Sequence, residues 1–169
     1  MRDGVKSALT LGVLCLVLVG AGAWGWQALT EPLPDNAPPP LCTDTTVAAG
    51  TDVFRDQVAV SVFNGSTRSG LAGATMEQLE ERGFVGADTG NAPRRIRGVQ
   101  IWSDEPRNPA VRLVKRQFRK AAVVPGPEGE SLGRGVVVVL GQSYSSLREK
   151  EIEKVTARAD ATFCSPPGS

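Results

Sequence analysis

Residues 60–84, VSVFNGSTRSGLAGATMEQLEERGF, decide the fold. A β-branched run ends at Asn64-Gly65, a turn signal. Leu71, Ala72, Thr75, Met76 and Leu79 then recur at helical spacing. Gly83 marks the helix stop, and Phe84 is placed for a hydrophobic contact just beyond it. Strand, glycine-containing loop and helix in this order build many phosphate sites. Here the residue chemistry argues for architecture. A P-loop needs Lys-Ser/Thr after its second glycine, and Leu71-Ala72 stand there. The three-glycine dinucleotide spacing is missing as well. Ser66, Thr67 and Ser69 are candidate nucleophiles, but the chain has no histidine to activate them. No catalytic residue is assigned. Asn64, Gly65, Ser66, Arg68, Ser69 and Gly70 form a candidate anion site through helix N-terminal amides. The plain alternative is a strand-to-helix turn capped by Ser66 or Ser69.

Working outward, the spacing predicts a first strand over 57–63, a weak strand over 84–90 and a third over 99–103. A helix follows over 110–118, with Pro109 at its first turn. Short strands are predicted over 121–124 and 136–140, the latter (VVVVL) apolar throughout and so central. The expected fold is α/β (α+β): a mixed sheet of four to five strands from two βαβ-like units, helices packed on it, and one N-terminal transmembrane helix. Residues 145–169 are expected to form a C-terminal helix and tail, on the strength of Leu147, Ile152 and Val155.

The N-terminal stretch 7–29 carries no charge and is long enough to cross a bilayer core of roughly 30 Å. Arg2 and Lys6 precede it, and Trp24 and Trp26 close it. Basic residues favour the cytoplasm and tryptophans the interface, so residues 1–6 read as cytoplasmic and 7–29 as a signal-anchor. A cleaved signal peptide, with Ala21-Gly22-Ala23 as the cleavage site, is the rival reading. Residues 30–56 are expected to be a Pro-rich linker and an irregular lead-in. Either way the remainder is exported, and on the anchor reading the chain is a single-pass protein of the cell membrane with an extracytoplasmic C-terminal domain. Cys15 falls inside the apolar stretch, whereas Cys42 and Cys164 flank the soluble part and are expected to pair in an oxidising compartment. Two unpaired thiols in the flexible ends are the alternative.

Net charge is +1, but it is unevenly placed. Arg94, Arg95, Arg97, Arg107, Arg112, Lys115, Arg116, Arg119 and Lys120 crowd one segment against only Asp104 and Glu105. Of these, Arg94, Arg95, Arg97, Arg112, Lys115, Arg116, Arg119 and Lys120 form the candidate surface for an anionic polymer or partner. The alternative is a solvated helix face. Nucleic acid is a poor partner for an exported domain with few aromatics. Carboxylates are scattered without ligand spacing, so no metal and no cofactor are expected.

The stretch from Val60 to Phe84, then GNAP (90–93), VQIWSDEPRNPAVRLVKRQF (99–118) and VVVVLGQSY (136–144), resembles the LytR C-terminal domain. The resemblance covers residues 57–144, and is strongest to stand-alone, membrane-anchored versions such as the VirR type. In larger proteins this domain follows a LytR-CpsA-Psr catalytic domain, which transfers glycopolymers to peptidoglycan. The 169 residues leave no room for such a domain. The resemblance therefore implies an accessory binding or scaffolding module of the cell envelope, not an enzyme. Its implied partners are envelope proteins of the LytR-CpsA-Psr type, or anionic wall glycopolymer or peptidoglycan. A glycopolymer phosphotransferase or hydrolase using a hydroxyl of the 64–70 loop is the alternative.

Overall fold

A computed structural model describes residues 2–30, 42–127 and 132–167. The chain divides into two units, 1–39 and 40–169. In the first, Arg2–Thr30 form one helix, α1. Its Leu11, Leu14, Leu16, Val17, Leu18 and Val19 are exposed. Among the described residues no helix is long and apolar enough to cross a membrane, so the expected span over 7–29 is not shown. Much of the expected linker, residues 31–41, lies outside the described residues.

The second unit is built on a five-stranded sheet. Its strands are β3 (Ala59–Asn64), β4 (Val85–Asn91), β5 (Val99–Trp102), β6 (Ala121–Val124) and β7 (Val136–Leu140), in the order β4-β3-β7-β5-β6. β3 runs parallel to β4 and to β7, and β5 parallel to β6; the β5–β7 junction is antiparallel. Each parallel outer pair is a βαβ unit, joined by α2 (Leu71–Glu81) or α3 (Pro109–Lys115). The fifth strand, β7, inserts between the two units and makes the sheet mixed.

The pleat explains why β7 is apolar at every position. Val136, Val138 and Leu140 join the helix-side core, together with Val60 and Val62 of β3 and Val99 and Ile101 of β5. Val139, one residue out of phase, packs on the other face with Phe63 and Trp102, and Ala92, Ile96 and Leu132 cover them. A strand buried on both sides has no solvent phase to alternate with. Burial of each such side chain contributes about 1.5–3 kcal/mol.

α2 buries Ala72, Thr75, Met76 and Leu79, the predicted stripe. It ends in a Schellman motif: the Phe84 amide donates to Leu79 O (3.0 Å) and the Gly83 amide to Glu80 O (2.8 Å), with Gly83 at φ +90°. Its start differs from expectation. Gly70, at φ +74°, is the N-cap, with no side-chain cap bond from Ser66 or Ser69. α3 has Pro109 at its first position and Asn108 as N-cap, whose Oδ1 accepts the Ala110 amide at 3.1 Å. It stops at Lys115, short of the predicted 118, because Gln117 and Phe118 turn into the core. The Gln117 amide nitrogen donates to Ile152 O (2.9 Å), and its oxygen accepts from Arg82 (3.1 Å).

Two expectations are corrected. Residues 145–169 hold no helix among the described residues; they contain β8 (Lys154–Thr156) and β9 (Ala161–Ser165). The supposed irregular lead-in contains β1 (Thr43–Val47) and β2 (Asp52–Phe54). β1 pairs antiparallel with β9, and β2 with β8. Of the apolar residues that suggested a helix, Val155 lies in β8 opposite Val53 in the core, and Leu147 forms an isolated bridge with Phe118. Cys42 and Cys164 form the expected disulfide, with Cα atoms 5.3 Å apart. It clamps the β1–β9 ribbon where the domain begins and ends.

Candidate functional site

The turn from Asn64 to Gly70 leaves β3 and enters α2, and its polar groups from Asn64 to Arg68 are engaged within the fold. Asn64 Oδ1 accepts the Ser66 amide (2.9 Å) and the Ser66 hydroxyl (2.8 Å), while Asn64 Nδ2 donates to Arg68 O (2.6 Å). This is an Asx-type turn, the local use of asparagine that competes with regular structure. The Arg68 amide donates to Ser66 Oγ at 3.1 Å. Gln142 Oε1, just after β7, accepts both the amide and the hydroxyl of Thr67, at 3.2 and 3.1 Å. The Gly65 amide donates to Leu140 O at 2.8 Å. The Arg68 guanidinium donates to Tyr144 O. Four successive amides, 65 to 68, therefore have internal acceptors. Gly65 sits in a tight space: a Cβ there would lie 3.0 Å from Val139 and 3.1 Å from Ile96, so those side chains would have to shift slightly.

The predicted cations separate into two groups. Arg94 lies over the Trp102 ring, 5.6 Å from its centroid, on the sheet face away from the helices. Arg95 and Arg97 are exposed on the same loop. That loop is held by the Ile96 amide on Gly65 O (2.8 Å) and by the Ser143 amide on Arg97 O (2.7 Å). On the helix side, Arg112, Lys115, Arg116, Arg119 and Lys120 line one shallow depression with Arg148, about 330 Å³ in volume. Arg119 pairs with Glu149 at 3.2 Å, both side chains being largely exposed. The helix-side cations thus line one depression, whereas Arg94, Arg95 and Arg97 are not part of it.

A larger cleft, about 860 Å³, lies between the β5–α3 loop and the β8–β9 turn. Arg107, Arg112 and Arg158 line it with Asp104, Glu105 and Asp160. Arg112 Nη1 donates to Thr156 O at 3.0 Å. Its burial, and then the nearby Arg158 and Arg116 cations, hold its guanidinium below the ordinary arginine range. Sequence reasoning missed Arg158, which lies in the segment expected to be helical; no local signal marks it. Among the described residues no group of histidine, cysteine or carboxylate side chains is arranged to hold a metal ion.

No curated protein matches the chain. Among solved structures, it is similar to the crystal structure of the soluble domain of a conserved hypothetical secreted protein from Mycobacterium marinum. Identity is 20% and the TM-score 0.45, over 62% of this chain and 70% of that one. The family described as LytR cell envelope-related transcriptional attenuator matches residues 57–144, from the residue before the first core position of the sheet to Tyr144. That match spans more than half of the chain, and the chain belongs to the LytR C-terminal family.

Proposed function

We propose that this chain is an extracytoplasmic binding and scaffolding module of the cell envelope, held at the membrane by the segment 7–29 and acting through its cationic helix-side surface. The observation that carries the reading is the disulfide that joins the two ends of the domain. Such a bond persists in oxidising compartments and is rare in the cytosol. The cell-envelope family supports the same placement. The uncharged run in the sequence and the exposed apolar side chains of α1 support an anchor, because a contiguous apolar surface needs cover from lipid or protein.

A binding role fits the loop better than catalysis does. The Ser66 hydroxyl donates to Asn64 and the Thr67 hydroxyl to Gln142, both amide oxygens that cannot act as a base at neutral pH. The partner we favour is an anionic wall polymer, since the α3 cations face outward together. A LytR-CpsA-Psr-type protein is the other partner to be tested. The experiment is sedimentation of the purified full chain with isolated cell walls, beside a pull-down from envelope extract. Sedimentation with protein-free walls supports the polymer. Retention only when envelope proteins are present supports the protein partner, and a chain retained in neither experiment would sink the binding reading.

A further inference from the structure

Four cations form ion pairs among the described residues. Arg55 meets Glu151 at 2.6 Å, Lys154 meets Asp52 at 2.5 Å, and Arg134 meets Asp88 at 3.5 Å. Arg107, Arg112 and Arg158, which share the larger cleft, make no ion pair among the described residues. Carboxylates are present in that cleft, but two of them are committed to the backbone framework. Asp160 accepts the Ala49 amide at 2.9 Å. Glu105 accepts from Asn108 Nδ2 at 3.0 Å, and that same nitrogen donates to Thr162 O at 2.8 Å. Asp160 and Glu105 thus hold the cleft walls together, while Arg107, Arg158 and the Arg112 donors not used on Thr156 O remain available. Arg112 and Arg158 are close enough to oppose each other's charge. A bound oxyanion would relieve that opposition and accept from both planar forks, which suit carboxylate and phosphate oxygens.

We propose that the cleft between the β5–α3 loop and the β8–β9 turn binds an acidic saccharide unit, its phosphate or carboxylate held by Arg112 and Arg158, with Arg107 at the rim. The volume, about 860 Å³, lies within the range of small-ligand sites. Asp104 and Glu105, in the β5–α3 loop, retain carboxylate lone pairs that accept from sugar hydroxyls. The guanidinia select the charge and the carboxylates select the polyol. A simple inorganic anion satisfies only the first. This inference rests on the anionic-polymer reading above and gives it a defined site.

The test is an NMR titration of the ¹⁵N-labelled full chain in non-ionic micelles, following the arginine Nε–Hε signals. The probes are glucose 1-phosphate, glucuronate, inorganic phosphate and glucose. The expected result is saturable movement of the Arg112 and Arg158 signals with glucose 1-phosphate, glucuronate or both. Binding should be about tenfold or more weaker for inorganic phosphate and for glucose, which each lack half of the contacts. Whichever acidic sugar binds more tightly identifies the source as phosphate or carboxylate. Arg158→Gln, at an exposed turn, should remove the response while leaving the rest of the spectrum in place. Arg112→Lys, which keeps the charge and loses the fork, should weaken it. Signals of Arg112 and Arg158 that stay still with every acidic probe overturn the proposal, as does equal binding of inorganic phosphate and the acidic sugars. If the chain nevertheless sediments with walls, the cleft fails and the envelope-binding reading survives. Loss of both would sink both.

Discussion

Two loops of this domain use their polar groups in opposite ways. The 64–70 turn, which has the sequence outline of a phosphate loop, engages the amides of 65–68 and the hydroxyls of Ser66 and Thr67 internally. The cleft beside residues 104–108 and 158–160 has no familiar sequence outline, yet it brings together three guanidinia that make no ion pair among the described residues. An amide or hydroxyl already bonded inside the protein has little to offer a ligand, because the net gain from exchanging one hydrogen bond for another is small. The glycine-rich turn is therefore a joint between strand and helix. The binding capacity we propose lies in the cleft between the β5–α3 loop and the β8–β9 turn.

The largest test of this contrast is to open the clamp. Cys42→Ser should cost up to about 4–5 kcal/mol, since the bond closes a loop of 122 residues. The β1–β9 ribbon also anchors the cleft, because Asn108 Nδ2 donates to Thr162 O. Hydrogen exchange should therefore rise first in 43–47 and 157–165, with the 64–70 turn still protected. Equal loss of protection in both loops would erase the distinction.

Asn64→Ala comes next. It removes the acceptor for two Ser66 groups and the donor to Arg68 O, and should cost about 1–3 kcal/mol in urea unfolding. Wall binding by the folded fraction should not change. Loss of binding at unchanged stability would move the ligand to the turn.

Acid should have a smaller, graded effect. The Arg134 amide holds the Asp88 carboxyl below its ordinary range, and the Arg55 side chain does the same for Glu151. Both folded values are depressed, so their contribution is complete above the unfolded carboxylate values, near pH 4, and is lost as pH falls through the folded ones. The urea midpoint should therefore fall below about pH 4. Asp88→Asn should flatten that fall, and an unchanged slope would show that Asp88 takes no part in it.

The smallest expected stability change is in the cleft. Arg158→Gln should alter unfolding by no more than about 0.5 kcal/mol, as an exposed side chain outside any ion pair. A larger loss would make Arg158 a structural residue.

How far the fold was legible follows the same division. β3, α2 and β7 announce themselves locally: a β-branched run, a stripe at 72, 75, 76 and 79 with a glycine stop, and an unbroken apolar strand. The ends of the domain carry no such signal. Lys154–Thr156 become a strand because Asp52–Phe54 lie beside them, and Ala161–Ser165 because Thr43–Val47 do. Those partners are distant in sequence, and short strands take their structure from pairing. The helix-side cations were visible as a charge run. Arg158 was not, because the β8–β9 turn brings it to Arg112 only in the folded chain.

The central claim, that this domain engages the envelope through exposed charge and not through its glycine turn, is tested most directly by salt. Full-length chain bound to isolated walls should be released as salt rises from about 0.05 to about 0.5 M, where screening shortens to roughly 4 Å. The Ser66→Ala/Thr67→Ala double variant should give the same release curve as the parent. Binding that withstands the salt, or that disappears with the two hydroxyls, would contradict the account.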